Sequence, residues 1–132
     1  MYGEARYSYR EFYDRCRRLA SALSRRGVGL GDTVAVMAPN VPALLEAHYG
    51  VPMVGAVLNA INIRLDANTV AFILDHAEVS VLITDREFSP VVKTALARIE
   101  RDLLVIDIDD PLEDSGELLG EQNYEDFLWE GD

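Results

Sequence analysis

The chain has 132 residues and a mass of 14.7 kDa, enough for one domain around one hydrophobic core. With 49% hydrophobic and 27% charged residues it is neither a disordered tail nor a fibre, and no apolar run reaches the ~18 residues of a membrane-spanning helix. A net charge of −11 repels phosphate backbones and argues against nucleic acid as a partner.

Tyr7-Ser8-Tyr9 reads as the end of a short strand, and Ser8 with Glu11 makes the Ser-x-x-Glu pattern of a capping box. The helix that follows runs to about Arg26. Its apolar stripe is Phe12, Cys16, Leu19, Ala20 and Leu23, which leaves Arg10, Arg15, Arg17, Arg18 and Arg25 mostly on a solvated face. Gly27 suits the left-handed position that ends a helix. Cys16 is the only cysteine, so neither an internal disulfide nor a thiolate metal site is available, and a reducing, cytoplasmic location is expected. Residues 1–25 contain no signal-peptide core.

Gly31-Asp32 turns the chain into Thr33-Val34-Ala35-Val36-Met37, whose lack of alternation predicts a strand buried on both faces. After the break at Pro39-Asn40, Pro42 suits the first position of a helix running from Ala43 to about Gly55. That helix is apolar nearly all round and reads as central and deeply packed, with a kink or early stop at Pro52. Val57-Leu58-Asn59 is a short strand that gives way to a loop through Leu65. Asp66 caps a helix over 67–77, with Val70, Ile73, Leu74 and Ala77 on one face. Residues 80–84 form the clearest strand, ended by Asp85. Ser89 is expected to cap the next helix, with Pro90 at its first position and Val91, Ala95 and Ile99 inward. Leu103-Leu104-Val105-Ile106 is a further buried strand. Residues 100–132 carry thirteen acidic residues and one basic, and are broken by Pro111, Gly116 and Gly120. They read as a solvated tail in preference to an interface strip, ending in an amphipathic turn with Tyr124, Phe127, Leu128 and Trp129.

Strands alternating with helices at this spacing predict an α/β fold, a three-layer αβα arrangement around a mostly parallel sheet. The compact part is expected over about 5–107, with an acidic, weakly structured tail over about 108–132.

Candidate chemistry is sparse. Gly27-Val28-Gly29-Leu30-Gly31 follows a helix and opens a strand, the reverse of a phosphate-cradling loop, so it reads as a helix end plus a turn. Lys93, the only lysine, falls on a surface helix. His48 and His76 lack a further ligand at metal spacing and read as helix-packing or helix-end residues. Asp107, Asp109 and Asp110 could hold a hard cation where open α/β sheets place ligands, but no fourth oxygen donor or glycine turn accompanies them. Asn40, after the first buried strand, is the best-placed polar residue. No nucleophile–base pair is visible, and no catalytic, cofactor-binding or metal residue is assigned.

Several segments in order resemble the adenylate-forming acyl-CoA synthetases, the AMP-binding enzymes. Tyr7-Ser8-Tyr9-Arg10-Glu11-Phe12 is similar to the family's aromatic-x-Tyr-x-Glu-hydrophobic start of its first helix. Leu19-Ala20-Ser21-Ala22-Leu23 with Gly27-Val28-Gly29-Leu30-Gly31-Asp32-Thr33-Val34-Ala35 is similar to the helix–turn–strand that follows. Ala38-Pro39-Asn40-Val41-Pro42-Ala43 and Gly55-Ala56-Val57-Leu58-Asn59 continue the match. Asn62-Ile63-Arg64-Leu65 and Ile73-Leu74-Asp75-His76-Ala77 resemble the branch that handles medium-chain and aromatic acids, including plant acyl-activating enzymes.

The resemblance implies a two-step ligase of fatty-acid metabolism that uses ATP, Mg2+ and coenzyme A. A carboxylate attacks the α-phosphate of ATP, releasing pyrophosphate, and the thiol of coenzyme A then displaces AMP. The family's Ser/Thr/Gly-rich phosphate loop, nucleotide motifs and catalytic lysine have no counterpart in these 132 residues. The chain is therefore expected to be an N-terminal scaffold fragment of the larger domain, inactive by itself and holding no cofactor. Its expected partners are the remainder of the parent polypeptide and, through apolar surface left uncovered, its own copies. The alternative is a free-standing flavodoxin-like binding or regulatory module, for which only Asp85 stands where a phosphoacceptor would need it.

Overall fold

The alternating pattern produces five strands and five α-helices in the computed structural model, which describes residues 8–38, 42–99, 103–108 and 122–131. In chain order they are α1 (Tyr9–Arg25), β1 (Thr33–Met37), α2 (Pro42–Met53), β2 (Val57–Ala60), α3 (Ala67–His76), β3 (Val79–Asp85), α4 (Ser89–Ala97), β4 (Leu104–Ile108), β5 (Gln122–Asn123) and α5 (Tyr124–Leu128). The strands pair in the order β2-β1-β3-β4-β5, all parallel. The expected strand at Tyr7 and the break at Pro39-Asn40 lie outside the described residues.

Both ends of α1 are built as the sequence dictates. The Ser8 hydroxyl accepts the Glu11 amide at 3.1 Å, and the Glu11 carboxylate accepts the Ser8 amide at 3.1 Å, so two orphan donors are satisfied reciprocally. At the far end Gly27 takes φ +84°, and the amides of Gly27 and Val28 donate to the carbonyls of Ser24 and Leu23, each at 3.0 Å. Only glycine adopts that dihedral without strain, and the two bonds close a Schellman turn.

Side chains alternate across the sheet and divide the core in two. Val34, Val36, Ile83 and Ile106 face α1, α2 and α5, while Ala35, Met37 and Leu82 face α3 and α4. An irregularity interrupts this alternation in β3: Thr33 aligns with Val79 and Val34 with Val81, leaving Ser80 as an extra residue. Val79 and Val81 consequently face opposite layers, although they are two residues apart.

Three expectations are corrected. Phe88, not Ser89, occupies the cap position of α4, because a 3-10 turn over Arg86–Phe88 leads straight into the helix and places Ser89 inside it. Val92 and Ala95 are its fully buried residues, with Val91 and Ile99 only partly covered. Secondly, α2 does stop one residue after Pro52, but it is not enclosed: Leu45, Tyr49 and Met53 form an exposed stripe. Thirdly, residues 122–131 are not a solvated tail. β5 extends the sheet, and Tyr124, Phe127 and Leu128 join the core under α1, because three large apolar or aromatic side chains within five residues outweigh the charge around them. Residues 109–121 lie outside the described residues.

The α1–α2 contact is close because Gly50 faces it. A Cβ at Gly50 would stand 2.9 Å from the Cys16 carbonyl oxygen and 2.9 Å from Leu19 Cδ2. A Gly50→Ala variant is expected to lose about 1–2 kcal/mol, overpacking outweighing its better helix propensity. Urea unfolding measures this; an unchanged midpoint would show that the helices separate freely.

Candidate functional site

In a sheet of order 2-1-3-4-5 the winding reverses between β1 and β3, and the crevice beyond their carboxyl ends is where such folds hold ligands. Met37 and Thr84 align there, both buried, followed by Ala38 and Asp85. The Asp85 carboxylate is buried and accepts the Glu87 amide at 2.9 Å, so it closes the turn that leads into α4. Asp107 aligns with Thr84 on one side and Asn123 on the other and is also buried. Asn123 caps α5, its side-chain oxygen accepting the Asp126 amide at 2.8 Å. Asn40, Asp109 and Asp110 lie outside the described residues, and among those described no three metal-ligating side chains gather.

The remaining candidates are dispersed. Gly29 and Gly31 belong to the turn between α1 and β1, where the Asp32 carboxylate accepts the Gly29 amide at 2.8 Å. Lys93 is exposed on α4. His48 is exposed, its Nδ1 2.9 Å from the Leu44 carbonyl oxygen, and His76 stacks on Phe72 with centroids 5.1 Å apart. Cys16 is buried, and burial pushes its thiol up to about 11, with the Glu46 charge adding to the effect. It is an inert core residue.

The dense polar constellation is elsewhere, between α1, α2 and α5. Glu46 is fully buried on α2. Its carboxylate accepts Arg15 Nε at 2.6 Å and the Tyr124 hydroxyl at 2.7 Å. Arg15 also donates to Glu125 at 2.9 and 2.6 Å, so one guanidinium ties two carboxylates from two helices to α1. Burial raises the Glu46 carboxyl above its ordinary range, against the opposing pull of Arg15 and Tyr124. Burial also works against the charge on Arg15, but its bonds to Glu125 and Glu46 outweigh that and hold it above its ordinary value. Burial, reinforced by the Glu46 charge, holds the Tyr124 phenol well above its own.

A second set extends this seam. Arg26 donates to Glu130 at 2.9 and 2.8 Å and to Gln122 at 2.8 Å, and Gln122 donates to Glu130 at 2.6 Å. These bonds, Arg26 first, hold the Glu130 carboxyl down at about 2. Arg18 lies over the Trp129 ring, 5.1 Å from its centroid. The basic face of α1 and the acidic end of the chain are thus partners, contrary to the expected pair of solvated surfaces. Every group in the seam is engaged by another protein group and none is poised toward a reacting atom. It is an architectural clamp.

The family model for AMP-binding enzymes matches residues 1–128. The chain belongs to the AMP-binding enzyme family. Among curated relatives it is 48% identical over 144 residues to the peroxisomal acetate/butyrate–CoA ligase of Arabidopsis thaliana, covering 100% of this chain and 25% of that protein. It is 51% identical over 96 residues to an acetate–CoA ligase of Humulus lupulus, covering 73% of this chain and 17% of that one. Among solved structures, an anthranilate CoA ligase in complex with anthranoyl-AMP superposes with a TM-score of 0.82 at 20% identity, over 92% of this chain and 23% of that chain. This AMP-binding family chain therefore spans about a quarter or less of the length of these relatives, and it shares its fold with the solved ligase.

Sequence reasoning did not single out Glu46, Arg15 or Tyr124. One signal was present: Glu46 is the only Asp, Glu, Lys or Arg in residues 42–63, and a lone carboxylate in an apolar helix implies a buried partner. Nothing local pointed to Arg15, which sits among four other arginines of α1.

Proposed function

We propose that this chain is the N-terminal scaffold of an ATP-dependent acid–CoA ligase. In that reaction a carboxylate and ATP give an acyl-adenylate and pyrophosphate, and coenzyme A then gives the thioester and AMP. The observation that carries the proposal is the continuous family match over residues 1–128 in a chain spanning 25% of an acetate/butyrate–CoA ligase. A short carboxylic acid is the proposed substrate class, after the acids named for the relatives. ATP, Mg2+ and coenzyme A are assigned to the whole ligase.

We place the nucleotide on the rest of the ligase: the buried side chains at the carboxyl ends of β3 and β4 include Thr84, Asp85 and Asp107, which offer a triphosphate no cationic partner. Asp85 is committed to its turn. The same commitment disfavours a phosphoacceptor module. No catalytic step is therefore assigned to these side chains, and the reacting groups are placed in the rest of the ligase.

No helix among the described residues is long and apolar enough to cross a membrane. The buried free thiol of Cys16 supports a reducing compartment, and the cytosol is the proposed one. Peroxisomal names among the relatives make import the competing outcome of a fluorescent-fusion experiment.

The test of the activity is the product of the whole open reading frame that contains this sequence. It is expected to release pyrophosphate from ATP only when a carboxylic acid is supplied, and to form the thioester when coenzyme A is added. Pyrophosphate release indifferent to the acid, or none with any acid from acetate to benzoate, would overturn the assignment.

A further inference from the structure

The seam around Arg15 is asymmetric. One guanidinium serves two carboxylates: its Nε meets Glu46 at 2.6 Å, and Glu125 takes bonds of 2.9 and 2.6 Å. Glu46 is closed to water, whereas the Glu125 side chain is 59% exposed. From α1 the groups facing Glu46 are Arg15 and the Cys16 thiol, and from α5 they are Tyr124 and Glu125. β1 and β2 also pack against α2 and contain no titratable residue. Docking of α5 therefore acts on Glu46 in three ways. It covers the carboxylate, adds the Tyr124 hydroxyl as a donor at 2.7 Å, and brings a second anion onto the same guanidinium. The first and third effects disfavour charge on Glu46, and the second favours it. With α5 away, Glu46 has the Arg15 guanidinium without a competing anion from α5, and water reaches it.

We propose that docking of α5 is linked to a proton: Glu46 takes one up from solvent as the segment seats, and the segment loosens when that proton is lost. The proton adds to a Glu46 carboxylate oxygen, while Arg15 and Tyr124 keep their own. Neutral Glu46 then leaves Arg15 facing the single charge of Glu125. Burial pushes the Glu46 carboxyl up, the Glu125 charge adds to this, and Arg15 and Tyr124 oppose it without reversing the direction. A group that holds its proton more tightly when docked stabilises docking at low pH, and that contribution is lost as pH rises through its docked value. Glu130 supplies the opposite limb. Held at about 2 by Arg26, it supports the seam fully above pH 4.5 and fails as pH falls toward 2. Docking of α5 is accordingly tightest in a mildly acidic window and weakens on either side. The linkage uses only groups of this chain and does not depend on the ligase reading.

Peptide-resolved hydrogen exchange on the product of the whole reading frame reads this docking locally. The amides of Trp129, Glu130 and Gly131 donate to carbonyls of α5 and serve as reporters, with β3 as the internal control. After correction for the intrinsic pH dependence of exchange, α5 protection is expected to fall about tenfold from about pH 5 to about pH 8 while β3 protection holds, the change produced when docked and undocked values differ by about one pH unit. Glu46→Gln cannot take up the proton and should flatten the profile. Glu125→Gln removes the competing anion and should cut the fall to about threefold or less. Protection of α5 that is indifferent to pH, or that rises with it, would overturn the proposal, as would a fall shared equally by β3. A full slope persisting in Glu46→Gln would do the same. Where Glu46→Gln does not fold, Glu125→Gln decides: a reduced slope supports the linkage and an undiminished one contradicts it.

Discussion

Replacing Arg15 by methionine is expected to cost about 3–5 kcal/mol of stability, because it strands the Glu46 carboxylate in a site closed to water. A surface ion pair would cost at most about 1 kcal/mol, so the size of the loss separates a buried clamp from a decorative pair. The loss should depend on pH with a definite sign. Burial makes Glu46 bind its proton more tightly in the folded chain than its ordinary value of 4.5, so its contribution lowers stability as pH rises through and above that value. Removing Arg15 removes the opposing pull, and the deficit is expected to be larger near about pH 8 than near about pH 5. Glu130 acts in the other direction. Its folded value of about 2 means that the Arg26 pair stabilises fully above pH 4.5 and fades as pH falls toward 2. Combining Arg15→Met with Glu46→Leu and Tyr124→Phe, which removes every buried member, should recover most of the stability. Urea titrations of the single and triple variants at two pH values measure all of this. A single-variant loss below about 1 kcal/mol would show that the seam is solvated.

Phe127→Ala is expected to cost a similar amount, about 3–5 kcal/mol, because Phe127 is fully exposed to the core and not at all to water. The change also tests whether residues 122–131 fold with the sheet. Trp129, the only tryptophan, sits over Arg18 on α1 and reports that docking without a label. In the unaltered chain its emission should change in one transition together with far-ultraviolet ellipticity. In Phe127→Ala the emission change is expected at lower urea, α5 leaving before the sheet unfolds. A loss under about 1 kcal/mol with coincident transitions would mean that the C-terminal segment adds little to the core.

These two sites also show where sequence reasoning ran short. Signals closed within a few residues were legible: the Ser8–Glu11 box, the Gly27 turn and the Asp66 cap each appear where the spacing puts them. So did the buried strands β1, β3 and β4, since a two-sided parallel strand must be apolar throughout. What failed was pairing over long separations. Arg15 looked solvated because charges 31 and 110 residues away are invisible to helix periodicity. The acidic end looked like a tail because charge density was weighed above Tyr124, Phe127 and Leu128, and the arginines of α1 that neutralise it lie at the other end of the chain. The error at α2 has a related cause. An apolar surround predicts burial but does not say by what, and Leu45, Tyr49 and Met53 are left bare by this chain. At the carboxyl ends of the strands the sequence did not show that the Asp85 carboxylate accepts a turn amide and that the Asn123 side chain caps α5, because both bonds depend on the backbone path after the strand.

The most direct measurement is an amide-resolved NMR titration of the 132-residue chain with Mg2+-ATP. Residues around β1, β3 and β4 are predicted to show no saturable shift at millimolar nucleotide, while the product of the whole reading frame binds the same nucleotide saturably. Saturable shifts confined to the carboxyl ends of those strands in the short chain would contradict the account and give this scaffold a nucleotide site of its own.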